Sequence, residues 1–237
     1  MRILSFQLGQ LQTNCYFIIE DDKCLIIDPA DEADFILEKI QQLKLTPVAL
    51  LATHGHFDHV MAAGEIQLSY DIPFYIHQKD LFLLERLEST AKYYLGYQPA
   101  IIKPKNIKIL PLNMFHASCF MFHVILTPGH TPGSVSLFSN SVKISYNQFK
   151  SEIRKIDHKN SDKLTTDPDF MSGPISTVFT GDTLFKSAIG RYDFSYSSKK
   201  DLKKSLTKLF KLPDETIVYS GHGGETTIKD EKNRSII

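Results

Sequence analysis

The sequence predicts a layered α/β protein with mixed sheets, and two observations support that prediction. Short apolar, β-branched runs alternate along the chain with segments of helical spacing, which is the order typical of α/β folds. Two of these runs, at 14–20 and 23–27, are separated only by Asp21 and Asp22 and predict a hairpin. A hairpin breaks a strict strand–helix–strand order, so we expect mixed sheets.

The next elements follow from apolar spacing and from Pro. Residues 31–45 predict a helix because apolar residues recur on one side from Phe35 to Leu43. Pro47 interrupts the pattern. The continuous apolar run at 48–52 is typical of a strand that is buried on both faces.

The rest of the chain continues the alternation of strands and helices. Further helices are predicted at 60–70, 78–89 and 199–209, and further strands at 73–76, 107–110, 120–126, 135–138, 176–180 and 216–220. Residues 90–106 predict irregular structure. Residues 139–174 are rich in Ser, Asn, Lys and Asp with little apolar periodicity. We interpret them as a surface insertion in a single domain spanning 1–237.

The composition excludes some classes of function. The 237 residues are 42% hydrophobic, which is enough to build a core. Lys and Arg number 27, and Asp and Glu also number 27. Dedicated nucleic-acid-binding proteins carry a basic excess, so we expect no nucleic-acid partner.

The sequence predicts neither a secretory leader nor a membrane span. The first ten residues lack a continuous apolar stretch with a small-residue cleavage site. No run approaches the roughly 18 apolar residues needed to cross a bilayer. Cys15, Cys24 and Cys119 are too few for a disulfide framework, and we interpret all three as small core residues. We therefore expect a cytoplasmic protein in a reducing compartment.

Four potential metal ligands follow the predicted strand at 48–52. His54, His56, Asp58 and His59 fall within six residues, and imidazoles with a carboxylate form a metal-ligand set. His54 and His56 can point the same way from an extended stretch. Asp58 and His59 begin the next helix and turn towards a second position. One segment therefore predicts ligands for two neighbouring sites.

Three later residues fit the same site. His130 lies in a loop rich in Pro and Gly after a strand, and Asp182 and His222 each follow the end of a strand. Loops at strand ends are where rigid sheets present active sites. Together with the first cluster, these residues predict one shared centre.

Four motifs resemble those of the metallo-β-lactamase superfamily. They read T-H-G-H-F-D-H at 53–59, P-G-H-T-P-G-S at 128–134, G-D-T-L-F at 181–185 and S-G-H-G at 220–223. The resemblance implies a four-layer αββα sandwich with two divalent metal ions between its sheets. Zinc is the expected ion, and iron or manganese also suits ligands that offer only nitrogen and oxygen. The resemblance further implies that the first ion is held by His54, His56 and His130, the second by Asp58, His59 and His222, and both by the bridging Asp182.

Details favour one branch of the superfamily. The bridging position holds Asp182, not the cysteine typical of true β-lactamases. The segment 221–228 looks like the G-H-G-x-x-T-T-I ending of the small hydroxyacylglutathione hydrolase-like, or glyoxalase II-like, proteins. This resemblance implies a thioesterase that cleaves a small substrate such as S-lactoylglutathione or another hydroxyacyl-glutathione.

The expected mechanism needs no Ser or Cys nucleophile. Two ions about 3.5–4 Å apart would lower the pKa of a water between them, and the resulting hydroxide would attack the thioester carbonyl. Asp58 is a candidate to orient that hydroxide or to shuttle its proton. Arg191 is a candidate catalytic residue near the ligands, with a surface salt bridge as the alternative. Asp193 is a candidate to anchor either Arg191 or a ligand histidine. A tyrosine cluster at 93–97 could line a substrate groove, although packing against the sandwich is the preferred interpretation.

Two alternatives belong to other classes. Persulfide dioxygenases share the scaffold and a G-R-x-D-F motif, present at 190–194. They use one iron, which His54, His130 and Asp182 would hold here, and such an open triad suits O₂ chemistry. A nuclease is disfavoured by the neutral charge. Metal content and oxygen uptake separate the hydrolase from the dioxygenase.

Overall fold

The computed structural model of the chain describes residues 1–142 and 175–234, and two six-stranded sheets lie at its centre. The strands of the first sheet, in spatial order, are β1 (Arg2–Leu8), β2 (Thr13–Glu20), β3 (Lys23–Ile27), β4 (Thr46–Leu51), β5 (Phe74–Ile76) and β6 (Ile107–Ile109). Strands β1 to β3 are antiparallel neighbours, whereas β3 to β6 are parallel. The sheet is therefore mixed, and the predicted hairpin is the pair β2–β3.

Helices occupy the connections between the parallel strands, because parallel neighbours need a crossover. They are α1 (Ala33–Gln42), α2 (Phe57–Val60), α3 (Ala63–Ser69), α4 (Leu81–Glu85) and α5 (Leu87–Leu95), with a 3₁₀ turn at Gln78–Asp80. Ile36 and Ile40 of α1 are fully buried and belong to one apolar cluster with the outer face of the sheet. The apolar spacing that predicts helix α1 therefore also predicts which side of the helix is buried.

The second sheet is built from the later strands. Its strands, in spatial order from one edge, are β14 (Thr226–Thr227), β13 (Ile217–Ser220), β10 (Ile175–Gly181), β9 (Val135–Val142), β8 (Phe120–Leu126) and β7 (Asn113–Ala117). A small ribbon pairs β11 (Leu184–Phe185) with β12 (Ala188–Ile189). The outer helices are α6 (Lys199–Leu209) and α7 (Ile228–Asn233). Leu202 and Leu206 of α6 pack with Val178 and Val218 of the sheet.

The main core lies between the two sheets. Along β2, Phe17 faces the helices, whereas Tyr16 and Ile18 face the second sheet, because successive side chains alternate in a strand. Phe122 and Phe179 of the second sheet belong to the same inner cluster. The layers run helix, sheet, sheet, helix, which confirms the predicted αββα sandwich.

Several boundaries differ from the sequence prediction. Six strands and helices are absent from that prediction: β1, β7, β11, β12, β14 and α7. The helix expected at 78–89 is instead a 3₁₀ turn followed by α4 and α5, with a break at Arg86, where φ is −97° and ψ is 5°. Helix α5 continues into the stretch expected to be irregular and ends at Gly96, whose φ of 78° suits a helix terminus.

Two expectations about surface regions also change. Strand β9 extends to Val142 and so includes the start of the range 139–174, which was expected to be an insertion. Residues 143–174 lie outside the described residues, so the insertion and the single-domain boundary stay predictions. Cys15 and Cys24 are buried, but Cys119 is exposed, so its interpretation as a core residue is wrong. It lies in the turn between β7 and β8, which presents it to solvent.

Within the described ranges, no helix combines the length and apolarity that crossing a membrane demands.

Candidate metal centre

Four loops at strand ends bring the seven predicted ligand side chains to one place. The loop after β4 and the start of α2 carry four of them, and the loops after β8, β10 and β13 carry one each. Backbone bonds fasten the two sheets together here: Asn14 N–H donates to Gly221 O over 2.8 Å, and Val135 N–H donates to Thr53 O over 2.9 Å. The ligand side chains gathered here are His54, His56, Asp58, His59, His130, Asp182 and His222.

The first group of donors consists of three imidazoles. His56 Nδ1 lies 3.1 Å from His54 Nε2 and 2.9 Å from His130 Nε2. Three nitrogen atoms from two separate loops therefore converge on one point, in the grouping that the resemblance implies for the first ion.

The second group consists of Asp58, His59 and His222. Asp58 Oδ2 lies 3.5 Å from His59 Nε2 and 3.3 Å from His222 Nε2. Thr13 Oγ1 donates to the same carboxylate oxygen over 2.8 Å, which fixes its orientation. This set of donors matches the one implied for the second ion.

Asp182 lies between the two groups. Its Oδ1 is 3.3 Å from His59 Nε2, while its Oδ2 is 3.5 Å from His130 Nε2 and 3.7 Å from His222 Nε2. One carboxylate thus reaches donors of both groups, as a bridging ligand must.

The electrostatics of the cluster suit cations. Burial, reinforced by neighbouring imidazoles, lowers the pKa of His54 and lowers that of His56 to about 3. Burial alone would raise the pKa of the two carboxyls, but the surrounding imidazoles, His59 foremost, together outweigh it. The pKa of Asp58 falls to about 2, and that of Asp182 falls well below its usual value. Neutral imidazoles and ionised carboxylates are the forms that metal binding requires.

Two buried polar atoms of the cluster have no hydrogen-bond partner among the described residues: His59 Nε2 and Asp182 Oδ1. Leaving such an atom unsatisfied costs about 1–3 kcal/mol. A divalent ion beside them would satisfy both atoms. The donor set therefore fits metal ions on the geometry and chemistry of these residues.

Each imidazole of the cluster also uses its outer nitrogen. In metal sites this second hydrogen bond fixes the tautomer and the orientation of the ring. In each case an oxygen atom lies within 3.2 Å of the outer ring nitrogen. These oxygens are Thr53 Oγ1 for His54, Tyr196 Oη for His56, Asp28 Oδ2 for His59, the Arg191 carbonyl for His130 and the Leu11 carbonyl for His222.

Asp28 is a supporting residue that sequence reasoning missed. It is buried at the end of β3, and its Oδ2 lies 2.9 Å from His59 Nδ1. It also accepts hydrogen bonds from the backbone N–H and the hydroxyl of Thr53, over 2.6 and 2.8 Å. Asp28 therefore positions both His59 and the loop that begins at Thr53. The available signal was an Asp at the end of a strand adjacent to the ligand-bearing strand.

Asp80 is a second missed residue, and it holds the ligand loops together. It accepts hydrogen bonds from the N–H of Gly55 over 3.0 Å, the N–H of Gly133 over 2.7 Å and the hydroxyl of Thr131 over 2.6 Å. The loop carrying His54 is thereby joined to the loop carrying His130. No sequence pattern connects residues this far apart.

A cavity of about 140 Å³ opens over the donors, and its lining includes four Phe and Tyr side chains. Tyr94 lines it and stacks on Phe57 with ring centroids 5.8 Å apart. Tyr93 and Tyr97 are 79% and 48% exposed. The preferred packing interpretation is therefore wrong for these two tyrosines, while the groove interpretation fits Tyr94.

Phe194 and Tyr196 also line this cavity, and their stacked rings have centroids 5.5 Å apart. Burial raises the pKa of Tyr196 to about 12, so its phenol stays protonated at neutral pH. Neither aromatic residue was predicted as part of the site.

Arg191 reaches the rim of this cavity but no ligand atom. Its guanidinium makes two hydrogen bonds to Asp193, at 3.0 and 2.9 Å, and lies 4.6 Å from the centre of the Phe194 ring. The side chain is 59% exposed. The salt bridge to Asp193 is therefore present, and Arg191 is a rim residue whose main-chain carbonyl contacts His130.

The fold and the ligand pattern define a class of protein. A family model described as the metallo-beta-lactamase superfamily matches residues 8–144 and 176–222. The chain belongs to this superfamily.

Individual relatives narrow the comparison. The chain is 33% identical to a probable metallo-hydrolase, YqgX, of Bacillus subtilis over 96% of this chain and 93% of that protein. It is 32% identical to the hydroxyacylglutathione hydrolase GloC of Haemophilus influenzae, covering 98% and 95%. The crystal structure of TTHA1623 in a di-iron-bound form superposes with a TM-score of 0.75 at 32% identity, covering 98% of each chain.

Proposed function

We propose that this protein is a hydrolase of small thioesters that uses two divalent ions, with S-lactoylglutathione or another hydroxyacyl-glutathione as substrate. The observation that carries the proposal is the pair of donor groups with Asp182 between them. The similarity to GloC supports the choice of a thioester. Among the described residues that line the cavity there is no Ser or Cys, so a side-chain nucleophile of that kind has no candidate there.

Bound ions at such a site activate water for attack and polarise a carbonyl. The chain's own residues orient the reactants. We propose that Asp58, whose carboxylate is fixed by Thr13, orients the attacking water and takes up its proton. Tyr94 and Phe194 exclude bulk water and contact the apolar part of the substrate.

We propose an indirect role for Arg191. Asp193 and the Phe194 ring hold its guanidinium at the rim, where it can meet a polar group of the substrate that projects from the cavity. It orients substrate in this account and does not touch the reacting carbonyl.

The metal is proposed to be zinc, with iron the main competitor. Imidazole and carboxylate ligands accept both, and TTHA1623 has been crystallised in a di-iron-bound form.

We also propose that the protein is located in the cytoplasm.

The decisive experiment combines elemental analysis of the purified protein with a hydrolysis assay on S-lactoylglutathione. Two ions per chain and release of the free thiol support the proposal. One iron per chain with O₂ uptake on a persulfide substrate supports the dioxygenase instead, with His54, His130 and Asp182 as its ligands.

A further inference from the structure

Tyr196 differs from the other residues that contact the outer nitrogens of the ligand histidines. The remaining partners are two buried side chains, Asp28 and Thr53, and two main-chain carbonyls. Of these five oxygen partners among the described residues, only Tyr196 contacts the imidazole through a side chain that also lines the cavity.

The geometry at His56 fixes the direction of this hydrogen bond. His56 Nδ1 points towards His54 and His130 at 3.1 and 2.9 Å, so its lone pair is the one offered to an ion. The proton must then lie on Nε2, which is 2.9 Å from Tyr196 Oη. His56 therefore donates and the phenol oxygen accepts.

The ring of Tyr196 is held firmly enough to serve as a fixed acceptor. It stacks on Phe194 at 5.5 Å with an interplanar angle of 17°, and it meets Phe82 edge-on at 5.4 Å. These contacts come from two different segments of the chain, so the hydroxyl position does not depend on the Tyr196 loop alone.

We propose that Tyr196 is a positioning residue that sets the tautomer and the ring orientation of His56 and thereby tightens binding of the ion held by the three-imidazole group. The inference rests on the proposed metal centre. Since the phenol oxygen accepts from His56, its own proton remains available to a second acceptor. The same residue thus links ion binding to the wall that contacts substrate.

The test is a comparison of zinc affinity, measured by chelator competition without substrate, in the wild type, Tyr196→Phe and Tyr94→Phe. Tyr196→Phe keeps the ring packing and removes the acceptor, so one of the two zinc ions should bind about tenfold more weakly, as loss of such outer partners typically produces. Tyr94→Phe removes a hydroxyl from the same cavity without touching His56, and its zinc affinity should stay within twofold of the wild type.

A spectroscopic readout makes the test independent of affinity. In the zinc-loaded wild type, the Nε2–H proton of His56 should give a slowly exchanging signal in ¹⁵N-edited NMR spectra, and that signal should disappear in Tyr196→Phe. Equal zinc affinities in the wild type and Tyr196→Phe would overturn the inference, as would absence of the protected signal in the wild type. If the wild type binds two zinc ions and Tyr196→Phe binds them equally well, only this inference is refuted. If the wild type binds no zinc, the proposed metal centre is refuted as well.

Discussion

His59 has a carboxylate close to each ring nitrogen. Asp28 lies 2.9 Å from its Nδ1, and Asp182 lies 3.3 Å from its Nε2. Burial opposes protonation of this imidazole, but the surrounding carboxylates outweigh burial and raise its pKa. The environment therefore favours positive charge at this point, which a proton or a metal ion can supply.

Replacing Asp182 by Asn tests the bridge. The amide keeps the shape but removes the charge that reaches both donor groups, so we expect loss of at least one ion per chain and of most hydrolytic activity. Elemental analysis and the thioester assay measure the two effects. Asp71→Asn, at an exposed position, is the matched control and should behave like the wild type; full metal content and turnover in Asp182→Asn would contradict the assignment.

The cluster of candidate ligands was predictable from sequence, whereas the residues that support it were not. His54, His56, Asp58 and His59 form a compact motif that is visible without a structure. Asp80, in contrast, acts through groups 25 to 53 positions away. Such contacts depend on how the loops fold against one another, and the spacing of residues in the sequence does not predict them.

The strand ends set the positions of the ligands through close backbone approach. A Cβ added at Gly221, directly after β13, would lie 2.1 Å from Asp182 Oδ1 and 2.7 Å from His59 Cε1. Only a residue without a side chain fits there while both ligands keep their places.

Gly221→Ala should therefore displace the Asp182 carboxylate. We expect weaker binding of metal by at least tenfold, measured by chelator competition. Gly224→Ala serves as its control, because a Cβ there meets nothing within 4 Å. Unchanged metal affinity in Gly221→Ala would show that the strand end is less tightly packed than the geometry requires.

Helix α6 attaches the outer layer to the second sheet by a small apolar side. Leu206 is 1% exposed within the cluster that includes Val178 and Val218. Leu206→Ala should lower the free energy of unfolding by about 2–5 kcal/mol. The same change at Leu68, which is 64% exposed, should alter it by less than about 0.5 kcal/mol. Denaturant titration measures both, and equal effects would refute the packing described for α6.

Elements with strong apolar spacing were predictable, and short or edge elements were not. Helix α1 is predictable because its buried residues recur with a clear period, and strand β4 is predictable because it is a continuous apolar run. Strand β7 lies at a sheet edge with only Phe115 buried, so its pattern is weak. Strand β14 has two residues and depends on pairing with β13. Such elements form because they pair with a neighbouring strand, and their local sequence alone does not predict them.

At the scale of the whole molecule, the centre joins the two halves of the sandwich. Four candidate ligands follow the first sheet's β4, and three follow strands of the second sheet. The mixed α/β class follows from the alternation of elements, but the pairing of the two sheets face to face depends on the inner cluster, which no single segment encodes.

Because the candidate ligands come from both sheets, metal binding should stabilise the whole fold. Removal of metal with a chelator should lower the melting temperature, and added zinc should restore it; a ligand at 1,000 times its Kd contributes about 4 kcal/mol. Asp182→Asn should show a much smaller zinc-dependent shift. If the melting temperature of the wild type were the same with and without metal, a metal centre shared by the two sheets would be contradicted.

The central claim is that seven side chains hold two ions side by side, and anomalous diffraction from crystals of the zinc-loaded protein tests it most directly. Two peaks at the zinc absorption edge are expected, one among His54, His56 and His130 and one among Asp58, His59 and His222, with Asp182 between them. A single peak, or peaks away from these residues, would contradict the account.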